Sequence, residues 1–183
     1  MKQVFLDGNF ADGAGEVIDN PHMDNYLKAI IDSTGKLARP VKLAVDCANA
    51  VPGPAMSKLL DMLECEHIDL YCDWDASEPN HGADPTRPKN MVDLAKVVVD
   101  NGCEFGLGAD GDGDRIGAVD ENGEFVYPDR LIALLANDVV GSESGKDLLI
   151  YDVKCSMNVE KAILAAGGRP MMAKTGHSFM KRV

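Results

Sequence analysis

Apolar residues along this chain gather in short runs separated by stretches with one apolar face. Strands alternating with amphipathic helices in this way build an α/β fold. Tyr26, Leu27, Ile30 and Ile31 are spaced for one face of a helix. Pro40 then introduces a buried strand, Val41 to Val45. Beyond Asp46-Cys47-Ala48-Asn49-Ala50 and the Pro52-Gly53-Pro54 punctuation, Met56, Leu59, Leu60 and Leu63 mark the core stripe of a helix. A strand around Ile68-Asp69-Leu70-Tyr71 completes a β-α-β unit, and this order predicts parallel pairing.

A long polar loop follows, Asp73 to Pro88, carrying Glu78-Pro79-Asn80-His81 and Asp84-Pro85. Loops of this length inside a compact domain are often functional. A helix from about Met91 to Asn101 leads through Gly102 into the strand Cys103 to Leu107. Ile116–Val119 and Glu124–Tyr127, joined through Asn122-Gly123, read as a hairpin. Pro128 opens a helix, Asp129 to Val140, apolar nearly all round. After a linker-like stretch, Gly141 to Lys146, a second β-α-β unit is expected. It comprises Leu148–Val153, a helix near Val159–Ala165 and Arg169–Lys174. The last segment, Ser178 to Val183, reads as an interrupted helix, which implies a fragment of a longer protein. Residues 1–22 show no period and read as an irregular arm or the end of a preceding domain. The expected fold is thus α/β, a mixed, mainly parallel sheet of β-α-β units with helices on both faces.

Composition narrows the function. The formal charge of −12 over 183 residues argues against general nucleic-acid binding, which needs Lys and Arg to neutralise phosphates. No apolar run is long enough to span a membrane, and the first residues lack the basic and apolar segments of a secretory leader. A cytoplasmic location is therefore expected. The five cysteines, Cys47, Cys65, Cys72, Cys103 and Cys155, form no C-x-x-C pair, so neither a disulfide framework nor a zinc knuckle is expected.

Within this acidic chain Asp110-Gly111-Asp112-Gly113-Asp114-Arg115 stands apart. Three carboxylates at alternate positions on a glycine-softened backbone can converge on one hard cation, Mg²⁺ or Ca²⁺. The guanidinium of Arg115 beside them is suited to a phosphate that the same cation touches. Three other readings compete. An EF-hand would use Asp110, Asp112, Asp114 and Glu121, but Arg115 occupies the position where that loop needs glycine, and strands rather than helices flank it. Gly106, Gly108 and Gly111 satisfy a dinucleotide fingerprint, yet no helix follows and the aspartates would face the pyrophosphate. A solvated acidic turn is the third reading.

These residues resemble the α-D-phosphohexomutases, in particular the bacterial phosphomannomutase/phosphoglucomutase branch. The resemblance runs from about Val41 to Val183. It rests on Val45-Asp46-Cys47-Ala48-Asn49-Ala50-Val51, Pro79-Asn80-His81 with Asp84-Pro85, the aspartate loop, Tyr127-Pro128-Asp129-Arg130, Asp152-Val153-Lys154-Cys155 and Lys174-Thr175-Gly176-His177-Ser178. It implies part of a four-domain isomerase, with residues 23–124 as the second domain and 125–183 as the first part of the third. It further implies reversible phosphoryl transfer between C1 and C6 of a hexose phosphate through a bisphosphate. A phosphoserine of the first domain would be the donor, and Asp110, Asp112 and Asp114 would hold Mg²⁺. Arg115, next to the metal loop, is read as a catalytic residue, and the resemblance makes Lys154 a phosphosugar contact; His177, in a turn at a strand's carboxyl end, is expected to bind substrate in the same cleft. Lys174 and Ser178 stay open between second-layer and phosphate-side roles; His22, His67 and His81 are read as structural. No Thr-Ala-Ser-His-Asn-Pro nucleophile loop occurs in the chain, and Glu78 stands where the family commonly has an aromatic residue.

Overall fold

A computed structural model describes residues 2–10, 13–16, 18–140 and 147–174. They fall into two compact units, Met1–Gly35 and Lys36–Val183. The first holds α1 (Lys2–Asp7) and α2 (Met23–Thr34). Helix α1 was not expected. It is fully exposed, braced by a Gln3-to-Asp7 side-chain hydrogen bond of 2.8 Å and ended by Gly8 at φ 62°. In α2 the expected apolar face is narrower than its pattern: Leu27 is buried, Ile30 and Ile31 half-buried, and Tyr26 exposed.

The second unit contains β1 (Lys42–Asp46), α3 (Gly53–Met62), β2 (Glu66–Leu70), a 3₁₀ turn at Pro88–Met91, α4 (Val92–Asn101), β3 (Phe105–Ala109), β4 (Ile116–Asp120) and β5 (Phe125–Val126). Strand order is β2-β1-β3-β4-β5. The β1 strand pairs in parallel with β2 and β3, whereas β4 runs antiparallel to β3 and to β5. Side-chain alternation along β1 sends Ala44 to one face, into a core with Leu70, Met91, Leu94, Val98 and Val119. Leu43 and Val45 go to the other, with Leu60 and Ala109. Helices α4 and α3 therefore cover opposite faces, as the β-α-β reading requires. Phe125 and Val126 hydrogen-bond to this sheet, although the sequence placed a domain boundary between residues 124 and 125.

Beyond β5 lie α5 (Pro128–Val139), β6 (Leu148–Asp152), α6 (Met157–Ala165) and β7 (Arg169–Ala173), with β6 and β7 parallel. Ala136, Tyr151, Val159 and Ile163 form their core. The all-round apolar character of α5 is largely uncovered: only Ala136 is buried, and Leu134 is 71% exposed. Leu148, Ile150, Met171 and Met172 are exposed on the two strands as well.

Parallel pairing of β1, β2 and β3 brings their carboxyl ends to one edge of the larger sheet. In doubly wound sheets that edge carries ligands. The loops after Asp46, after Leu70 and after Ala109 all start there.

Candidate metal and phosphate site

The loop after Ala109 is the bend of the β3–β4 hairpin, whose strands close with Ala109 opposite Ile116. The Gly113 N–H donates to the Asp110 carbonyl at 3.2 Å, with Gly113 at φ 76°, a value side-chain-bearing residues rarely adopt. Strands flank the loop on both sides, so the EF-hand arrangement is absent. No helix opens after Gly111 either, which removes the dinucleotide reading.

The three aspartates are not equivalent. Asp110 is fully buried: its Oδ1 accepts the Arg115 backbone N–H at 2.9 Å and its Oδ2 accepts Arg115 Nε at 2.7 Å. Burial acts to raise the Asp110 carboxyl, but the Arg115 N–H groups and charge outweigh it and hold the group below its ordinary value. Asp112 and Asp114 are exposed. One oxygen from each of the three lies within 4.8 Å of the others. Three hard oxygens converging without nitrogen or sulfur fit Mg²⁺ or Ca²⁺, and leave coordination positions for water or a phosphate oxygen.

Arg115 is about half exposed at the rim of this cluster. Its Nε lies 3.6 Å from Asp114 Oδ1, and its Nη1 lies 3.7 Å from Asp84 Oδ1. Asp84 belongs to the 73–88 loop. Only its Asp-Pro context showed in the sequence, and its partner is remote in the chain. Beside Arg115 a hollow of about 270 Å³ is floored by Val45, Met56 and Leu107.

Lys154 is exposed in the turn just after β6, its backbone N–H bonded to Asp152 Oδ1 at 2.9 Å. Among the described residues no hydrogen bond or ion pair joins it to the 110–115 loop. His177 and Ser178, expected beside it, lie outside the described residues, while Lys174 is exposed immediately after β7.

The carboxylate cluster thus sits on a hairpin at the ligand edge of an α3–sheet–α4 sandwich. Residues 20–123 match the family profile described as phosphoglucomutase/phosphomannomutase, alpha/beta/alpha domain II, and residues 127–183 match domain III. The chain belongs to the phosphoglucomutase/phosphomannomutase family. It is 43% identical over all 183 residues to a phosphomannomutase/phosphoglucomutase of Pseudomonas aeruginosa, covering 39% of that protein. A phosphoglucomutase of Neisseria meningitidis is 40% identical over 93% of this chain and 37% of its own length. The crystal structure of a Burkholderia thailandensis family member superposes with a TM-score of 0.85 at 39% identity, over 99% of this chain and 39% of that one. This chain thus spans about two fifths of the length of the relatives it matches.

Proposed function

We propose that this chain is the metal-binding part of a Mg²⁺-dependent phosphohexomutase acting on mannose or glucose phosphates. The observation that carries the reading is the convergence of the Asp110, Asp112 and Asp114 oxygens within 4.8 Å beside the Arg115 guanidinium. Bound there, the cation would neutralise charge on a transferring phosphoryl group. Asp110 orients Arg115, whose fork grips a phosphate oxygen and offsets the same charge. Asp112 and Asp114 complete the oxygen set. The phosphoryl donor is a phosphoserine of another domain, and the transfer runs between C1 and C6 through a hexose 1,6-bisphosphate. Residues 23–124 would be the second domain and 125–183 the opening of the third, with Lys154 and His177 holding the sugar phosphate in a cytoplasmic enzyme.

Titrating Mg²⁺ into the chain while following amide signals tests the reading. Weak binding with shifts centred on residues 108–116 is expected, and Asp112→Asn should abolish them. No response at millimolar metal, or a response centred elsewhere, overturns the assignment. The chain alone should leave hexose 1-phosphate unconverted in a coupled assay with added bisphosphate, because it carries no nucleophile loop. Turnover that survives Asp112→Asn would move the active site away from this hairpin.

A further inference from the structure

His81, read from the sequence as structural, lies at the centre of the 73–88 loop's attachment to the sheet. Its Nε2 lies 3.0 Å from Oδ2 of Asp46, a carboxylate only 2% exposed at the end of β1, whose Oδ1 accepts the Ala48 N–H at 2.9 Å. Its Nδ1 lies 3.2 Å from the Gly82 carbonyl. With Asp46 ionised, acceptors face both ring nitrogens and both carry hydrogen, which is the imidazolium form. The ring stands edge-on to Tyr71, whose hydroxyl donates to Asp93 of α4 at 3.0 Å. Asp46, Asp93 and Tyr71 are thus the titratable groups facing it.

From this pin the loop reaches the hairpin. Asn90 Nδ2 donates to the carbonyls of Gly82 and Asp84 at 2.9 and 3.0 Å. Asp84 is fixed by Thr86, whose hydroxyl donates to Oδ1 at 2.6 Å, and by Arg87 Nε at 2.9 Å, and so meets Arg115 in a set orientation. Pro85 sits in a notch made by Gly108 and Gly117, which face each other across β3 and β4. A Cβ at Gly117 would come within 2.5 Å of the Pro85 carbonyl oxygen.

We propose that His81, gripped by buried Asp46, is a positioning residue for Arg115, acting through the loop that brings Asp84 to the guanidinium and Pro85 to the hairpin. The inference deepens the reading of Arg115 as the phosphate-gripping residue and rests on it. Burial disfavours the charged ring, but the Asp46 hydrogen bond and charge outweigh it, so His81 titrates above its ordinary value. Asp46 is pushed up by its own burial, against the Ala48 and His81 contacts that favour its ionised form.

The test is a pH titration of the metal-free chain by NMR, following the ring signals of His81 and His67, the amides of Asp84, Arg115 and Gly117, and Arg115 Nε–H. The three amides and Nε–H are expected to move along the His81 curve, with a midpoint above 6.5. Asp110 is held low and titrates outside that window. In His81→Gln the step should vanish from Arg115 and Gly117 while His67 keeps its own titration. A histidine serving stability alone would lower the urea midpoint on substitution and leave the Arg115 signals flat across its titration. Flat signals in the unmodified chain, or a step that persists in His81→Gln, overturn the proposal. The unmodified chain decides the matter even if the variant fails to fold. Mg²⁺ shifts still centred on residues 108–116 would then leave the metal reading standing.

Discussion

At the scale of single residues, the aspartate loop separates a buried carboxylate that holds the fold from two exposed ones proposed to bind the cation. Asp110 satisfies a backbone N–H and a guanidinium from inside the protein, so Asp110→Ala strands both partners and should cost about 1–3 kcal/mol in urea unfolding. Asp112→Asn should leave the urea midpoint unchanged or slightly raised, since it removes only repulsion at an exposed position. Equal losses for the two variants would contradict that division. The spacing of the three carboxylates was legible in the sequence because alternation and glycine are local properties. The burial of Asp110 and the partners of His81 were not, because Asp46 lies 35 residues from His81 and only the folded sheet joins them. Glu104 illustrates a second long-range effect. Hydrogen bonds from Arg39 and from the Lys42 N–H bring its carboxyl down to about 2. A depressed carboxyl contributes stability above its unfolded value near 4.5 and loses it as pH falls towards 2. Arg39→Ala should raise the Glu104 titration, with the Lys42 N–H still holding it below its ordinary value, as followed by carboxyl carbon shifts.

Among the elements, every strand and helix of the larger sheet was readable from periodicity, and so was the β4–β5 hairpin from Asn122-Gly123. There Asp120 Oδ1 accepts the N–H groups of Asn122 and Glu124 at 2.9 and 2.8 Å, and Gly123 takes φ 76°. Helix α1 escaped because six residues are too few to show a period. The Gly108–Gly117 notch escaped because glycines in strands read as weakness until a second segment is seen lying in the space they leave. Gly117→Ala forces a methyl against the Pro85 carbonyl and tests that close approach directly. A loss of about 1–3 kcal/mol in urea unfolding is expected, with amide shifts spreading into residues 110–115. A neutral substitution would mean that the 73–88 loop rests on the hairpin without constraining it.

Over the whole molecule, charge argued against nucleic acid as a partner, while the alternation of elements pointed to the class of fold that the structure has. Neither could foresee how unequally the two sheets are finished. One boundary strand of the larger sheet, β2, carries Glu66, His67 and Asp69, with His67 between Asp61 and Asp69 and Lys42 paired to Glu66. Such charges discourage another chain from adding a strand. On the smaller sheet the charged residues of the strands, Asp152 and Arg169, stand at their ends, and the middle positions are mostly apolar. Its strands read Leu-Leu-Ile-Tyr-Asp and Arg-Pro-Met-Met-Ala, each with one side unpaired among the described residues. The Pro170 ring blocks only a single donor on β7, and β6 has no proline. Concentrated solutions of this polypeptide are therefore expected to scatter light increasingly with time, and Ile150→Lys, at an exposed position of β6, should suppress the rise. The chain that carries the aspartate hairpin is thus also expected to associate with itself through β6.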